Sequence, residues 1–176
     1  MRSEATSAPL ALDDDTLAFA RSVFDHVRCG HTAEIAALLD MNLPANLMNH
    51  KGDSLLMLAS RHGHLDLARL LLDHGGDAEL GNGRGQTPLA AAAFKGDIAM
   101  VRLLIDRGAD VDGRGHDGKT PLMVAAMFNR SKIVDLLLAE GADAGARDAA
   151  GITAQTAAEL LNTPDTAEQL ARMAQG

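Results

Sequence analysis

The sequence predicts an all-α solenoid built from helix pairs, and three observations predict it. The chain repeats itself at a shift of 33 residues from about residue 19 to its end, and a sustained period of this length marks a stack of small supersecondary units. Each copy carries helix-start and helix-stop residues at the same offsets. The composition is 47% hydrophobic, yet it includes only four Phe and no Trp or Tyr, so any core must come from small and branched aliphatics that suit close-packed helices.

The units follow one plan. GDSLLMLASRHGHLDLARLLLDHGGDAE begins at Gly52, GQTPLAAAAFKGDIAMVRLLIDRGADVD at Gly85 and GKTPLMVAAMFNRSKIVDLLLAEGADAG at Gly118. A fourth, GITAQTAAELLNTPDTAEQLARMAQ, begins at Gly151, and FARSVFDHVRCGHTAEIAALLDMNLPAN aligns upstream from Phe19. In the unit from Gly85, Thr87 caps a first helix by accepting from a free N–H. Pro88 costs nothing at the first helical position, where its missing donor had no partner. Gly96 stops that helix where positive φ is cheap. Ile98, Val101, Leu104 and Ile105 then give a second helix its apolar stripe, and Gly108, Ala109 and Asp110 lead into a loop. The next unit repeats this with Thr120, Pro121 and Leu122, then Ile133, Val134, Leu137 and Leu138, then Gly141, Ala142 and Asp143.

These motifs resemble the ankyrin repeat family. The resemblance rests on the Thr-Pro-Leu starts at Thr87 and Thr120 and the Gly-Ala-Asp ends at Gly108 and Gly141; the unit from Gly52 keeps only Ser54 and Leu56 of the start. It covers the chain beyond about residue 15 and implies a slightly curved stack of helix pairs with loops projecting from one edge. The expected organisation is an N-terminal tail over 1–14 and one domain over 15–176. That domain divides into a capping unit over 15–49, three central repeats over 50–82, 83–115 and 116–148, and a second capping unit over 149–176. The first helix is expected to start at Asp15 or Thr16, and Thr163, Pro164 and Asp165 to restart the last. Two departures matter. Where the family places a His that bridges neighbouring units, this chain has Met57, Ala90 and Met123, so stacking is expected to rest on apolar packing and small-residue contact. Asn129 replaces the glycine found at Gly63 and Gly96, and Asn tolerates the left-handed conformation next best.

Composition narrows the function. The formal charge is −8 with a pI near 5.2, opposite to the basic footprint that phosphate backbones require. The single cysteine, Cys29, forms no intramolecular disulfide. No window reaches the ~20 apolar residues of a membrane span, and the N-terminus lacks a secretory apolar region. The reading is a cytoplasmic protein with no nucleic-acid or membrane partner.

Catalytic patterns are thin. His62 and His64, with Asp66 nearby, hint at a metal, but no cysteine stands close to complete a zinc set. Cys29 and His26 share a helix face without a third group to orient the base. The glycines around Arg84 lack the Lys-Ser/Thr of a phosphate loop. Asp77, Asp110 and Asp143 recur in every repeat, as loop residues bonding their own backbone do and catalytic acids do not. No cofactor or metal is expected, and no enzyme.

The placement of the aromatics points elsewhere. In a stack of this kind partners meet the loop tips and the exposed ends of the first helices. The tips supply His50, Lys51, Asp53, Gly83, Arg84, Gln86, His116, Asp117 and Lys119. The helix ends supply Arg61, His62, Phe94, Lys95, Met127 and Phe128. These positions hold five cations and two acids, +3 on a chain of −8, which leaves −11 elsewhere. The expected partner-binding residues are therefore Lys51, Arg61, His62, Arg84, Phe94, Lys95, His116, Lys119, Met127 and Phe128, with the Phe and Met side chains as anchors. The competing reading folds Phe94 inward over Ala90–Ala93 as packing. The expected function is a non-catalytic protein-interaction module, an adaptor or an inhibitor, monomeric when free, whose partner presents an acidic and apolar surface. The alternatives are a small histidine-dependent metal protein or enzyme, or a permanent subunit of a complex.

Overall fold

The computed structural model describes residues 13–173, and among them the regular structure is all helical. The helices pair in chain order: α1 (Asp14–Cys29) with α2 (Thr32–Asp40), α3 (Leu55–His62) with α4 (Leu65–Asp73), α5 (Pro88–Lys95) with α6 (Ile98–Asp106), α7 (Pro121–Met127) with α8 (Ser131–Ala139), and α9 (Ala154–Leu160) with α10 (Pro164–Met173). The first helices form one row, α1, α3, α5, α7 and α9, and the second helices form another. The expected tail lies, up to residue 12, outside the described residues. The first helix starts one residue earlier than expected, at Asp14. Asp13 Oδ1 accepts from the Thr16 N–H at 2.7 Å and fixes that start.

The cap residues act as the sequence dictates. Ser54, Thr87, Thr120 and Thr153 each accept, through the side-chain oxygen, from the N–H three residues on. Pro88 and Pro121 open α5 and α7. Asn129 does adopt the left-handed conformation, at φ 55°. Gly63 (φ 80°) and Gly96 (φ 88°) end α3 and α5. Conformation is half of their role: a Cβ on Gly63 would lie 2.5 Å from Lys95 Cε, and one on Gly96 3.1 Å from Arg130 Cδ. A side chain of each following unit thus lies over the preceding turn.

The core runs in columns at the sequence period. Leu56, Leu89 and Leu122 form one, Leu67, Met100 and Ile133 a second, and Leu71, Leu104 and Leu137 a third, all essentially without solvent exposure. Ala59, Ala92, Ala125 and Ala158 form a fourth column of fully buried methyls, which lets the first helices approach closely. Met57, Ala90 and Met123 are buried, in line with apolar stacking there.

Apolar contact is only part of what joins the units. Asn46 Oδ1, Glu79 Oε1 and Asp112 Oδ1, spaced at 33 residues, accept from the backbone N–H of Asp77 (2.8 Å), Asp110 (2.9 Å) and Asp143 (3.1 Å) in the next loop. Those three aspartates each accept in turn from the N–H two residues on. His64 Nε2 donates to the Arg28 carbonyl at 2.8 Å, and the Thr163 and Thr166 hydroxyls donate to the Ala126 carbonyl, each at 2.9 Å. The expectation of purely apolar stacking is corrected accordingly. The bridging oxygens sit on the loops, where Asn, Glu and Asp supply one acceptor from three residue types.

Candidate functional site

Four loop tips stand before the first helices α3, α5, α7 and α9, and each closes with the same backbone bond: Asn49 N–H to Asp53 C=O, Asn82 to Gln86, Gly115 to Lys119 and Asp148 to Ile152. Asn49, Asn82 and Asp148 also cap their own tips through side-chain oxygens. Adjacent tips abut. His116 N–H donates to the Arg84 carbonyl, Ala149 N–H donates to the Asp117 carbonyl, and a Cβ on Gly52 would stand 2.7 Å from Gly83 N. This seam holds the tips in one row beside the first-helix ends.

Between the first two of these tips lies a cleft of about 500 Å³, lined by Lys51, Arg61, Arg84, Ala91 and Phe94. Six of its lining residues, Lys51, Asp53, Arg61, Arg84, Gln86 and Phe94, are tip or helix-end positions, so the structure brings that part of the expected set together. The charges within it differ in availability. Arg61 Nη2 pairs at 3.0 Å with Asp53, whose side chain is almost wholly buried. Lys119 Nζ pairs at 2.6 Å with Asp117, and that ammonium holds the Asp117 carboxyl below its usual range. Lys51, Arg84 and Lys95 have no acidic partner within salt-bridge distance among the described residues. The excess of +3 therefore resides on these three side chains.

At the helix ends, Phe94 is 44% exposed and Phe128 is 41% exposed. Their rings meet edge to face, with centroids 4.5 Å apart and planes at 78°. This arrangement adds roughly 0.5–1.5 kcal/mol to an aromatic pair beyond its area burial. Neither ring folds inward over the alanine run, because Ala90–Ala93 are already covered by neighbouring helices. Met127 is half-buried beside the pair. Lys95 extends back over Gly63, which carries its charge towards His62 and away from the rings. Arg130 likewise extends back over Gly96 and donates from Nε to the Phe94 carbonyl at 3.2 Å.

The histidines divide. His62 is exposed and stacks on His64, with centroids 6.0 Å apart and planes 9° from parallel. Its pKa is lowered by partial burial first, then by His64, Arg61, Lys95 and Arg28. His64 Nε2 is occupied by the Arg28 carbonyl. His26 Nδ1 lies 2.9 Å from His31 Nδ1, so its hydrogen-bond partner is a histidine and not Cys29. Among the described residues no three His, Cys, Asp or Glu side chains converge as metal ligands would. His116 is exposed, but its ring lies over Gly85 rather than on the cleft of Lys51 and Arg84.

Two residues escaped the sequence reading. Leu160, 67% exposed, and Leu161, 51% exposed, stand one period after Met127 and Phe128. The same 33-residue register that selects Phe94 selects them too; the reading of 149–176 as a capping unit left them out. With them, the ledge of helix ends runs Arg61–His62, Phe94–Lys95, Met127–Phe128, Leu160–Leu161 along the stack.

Comparison with known proteins agrees with this geometry. Residues 74–148 match a family model described as ankyrin repeats in three copies, and residues 38–92 match one described as ankyrin repeats in many copies. A Pseudomonas aeruginosa protein whose name describes it as an ankyrin repeat protein is 54% identical over 58 residues, which cover 33% of this chain and 34% of that one. The chain thus spans about a third of the length of that relative. Ankyrin repeats are in general protein-interaction modules and typically non-catalytic. The two family matches together run from residue 38 to residue 148, more than half of the 176 residues, and with ten helices stacked in pairs among the described residues the chain belongs to the ankyrin repeat family.

Proposed function

We propose that the chain is a non-catalytic adaptor or inhibitor that grips one protein partner along its row of tips and first-helix ends, is monomeric when free, and works in the cytoplasm. The single observation that carries this reading is the exposed edge-to-face pair of Phe94 and Phe128. Three of the four Phe are exposed, Phe19 among them, and two of these, Phe94 and Phe128, stand together on adjacent units, near cations that lack acidic partners. Exposed aromatic clusters with a charged rim are what interfaces use as anchors. The metal-dependent alternative lacks support of this kind, since the His62 and His64 rings stack face to face instead of converging on one point.

The test is affinity capture of the partner from native lysate, with wild type and a Phe94→Ala/Phe128→Ala double variant side by side. The reading expects a partner that the double variant retains at least about tenfold more weakly, with unchanged helicity by circular dichroism. Lost helicity with undiminished capture would return the two rings to a packing role.

A further inference from the structure

The ledge changes chemistry along its length. At the α3–α5 end stand Lys51, Arg84 and Lys95, with His62 beside them. At the α5–α7 step stand Phe94 and Phe128. At α9 stand Leu160 and Leu161, and the exposed charges closest to them in the chain are of the other sign, Glu159 and Asp165, while Arg172 of α10 pairs with Glu168 at 3.8 Å. A carboxylate-bearing segment is therefore attracted at the first end and repelled at the last, while a large apolar side chain finds cover only from the Phe pair onward.

We propose that the partner presents a single segment with carboxylates at one end and large apolar side chains at the other, laid along the ledge in one orientation. The carboxylates enter the cleft of Lys51 and Arg84; the apolar side chains cover Phe94, Phe128, Leu160 and Leu161. Rows of packed helices are spaced at roughly 8–10 Å, so the cleft and the Leu pair are separated by about 25 Å, the reach of some eight extended residues. This inference rests on the reading of the chain as a protein-binding module and adds to it the composition and polarity of what is bound.

The probe is a library of random 12-residue peptides displayed on phage and selected on the immobilised full-length protein. The enriched peptides are expected to share an acidic block and at least two large apolar residues in one fixed order. A synthetic peptide of that consensus is expected to bind about tenfold more tightly than the same peptide with its two halves exchanged. Lys51→Glu/Arg84→Glu and Leu160→Ser/Leu161→Ser are each expected to cost about tenfold. All four positions are exposed, so folding is preserved, as circular dichroism will verify. Equal binding of the exchanged peptide, an uncharged or basic consensus, or no enriched peptide at all overturns the ordered segment. Should consensus binding survive Phe94→Ala/Phe128→Ala, the site itself is misplaced and the broader reading falls with it. Dimerisation of the free chain that Leu160→Ser/Leu161→Ser abolishes would assign the Leu pair to a self-contact and overturn the proposal.

Discussion

Arg130 Nε donates to the Phe94 carbonyl across the unit boundary while its aliphatic stem lies over Gly96. One side chain thereby ties the aromatic ledge of one repeat to the turn of the next. The backbone of Phe94 is held from behind, so the place of its ring belongs to the scaffold and not to a loose helix end. Similar ties recur at His64 on Arg28 and at Thr163 on Ala126.

The tie is measurable by comparing two glycines. Gly96 and Gly108 share φ 88°, but a Cβ on Gly96 meets the Arg130 stem and one on Gly108 meets nothing within 4 Å. Both Ala substitutions incur the left-handed penalty of roughly 1–2 kcal/mol. Urea denaturation is expected to show a further loss in Gly96→Ala, which Arg130→Ala in the same background removes. Equal losses for the two glycines would mean that Arg130 stacks without consequence.

Ser60 is fully buried and its hydroxyl has no hydrogen-bond partner. The equivalent residues one and two periods on are Ala93 and Ala126. An unsatisfied buried hydroxyl costs on the order of 1 kcal/mol or more, so Ser60→Ala is expected to raise stability by up to ~1 kcal/mol in chemical denaturation. A loss of that size would show that the hydroxyl has a partner after all.

The loop bridge at Asp112 depends on an acceptor oxygen and not on charge, because its partner is the backbone N–H of Asp143. Asp112→Asn is expected to keep the stability of the wild type, and Asp112→Ala to lose about 0.5–1.5 kcal/mol. Equal stability of all three would remove the bridge from the account of stacking.

His62 gives the surface a pH dependence. Its folded pKa lies below the ordinary 6.5, so the unfolded chain binds the proton more readily in the interval between the two values. The stability contributed by His62 is thus full above pH 6.5 and declines as pH falls through that interval. Groups facing the ring are His64, Arg61, Lys95 and Arg28, all cations or potential cations. A bound carboxylate reverses the balance, so capture of an acidic segment is expected to strengthen as pH falls from 7.5 to 5.5. Isothermal titration at those two pH values, repeated with His62→Gln, checks the sign; an unchanged pH response in the variant assigns it to another group.

The architecture was legible because caps, stops and apolar stripes recur at one period, and local chemistry agrees with tertiary packing in each unit. Thr87, Pro88 and Gly96 mean the same thing in isolation as in the stack. The polar ties were not legible. Asn46, Glu79 and Asp112 share a role but no residue type, and Arg130 reaches Phe94 from 36 positions away. Charge pairing was also hidden: Arg61 and Lys119 read as cations like Lys51, yet each is neutralised by an acid of its own unit. Leu160 and Leu161 were visible in register, but the last unit read as a cap and not as part of the binding row.

Each helix pair packs chiefly on the pairs before and after it. Among the described pairs, α9 with α10 packs on α7 with α8, and it carries the greasy end of the ledge. A ligand reaching from Lys51 to Leu161 would splint three successive joints at once. Its grip would be felt as slower amide exchange in a helix pair far from the charges that first drew it in.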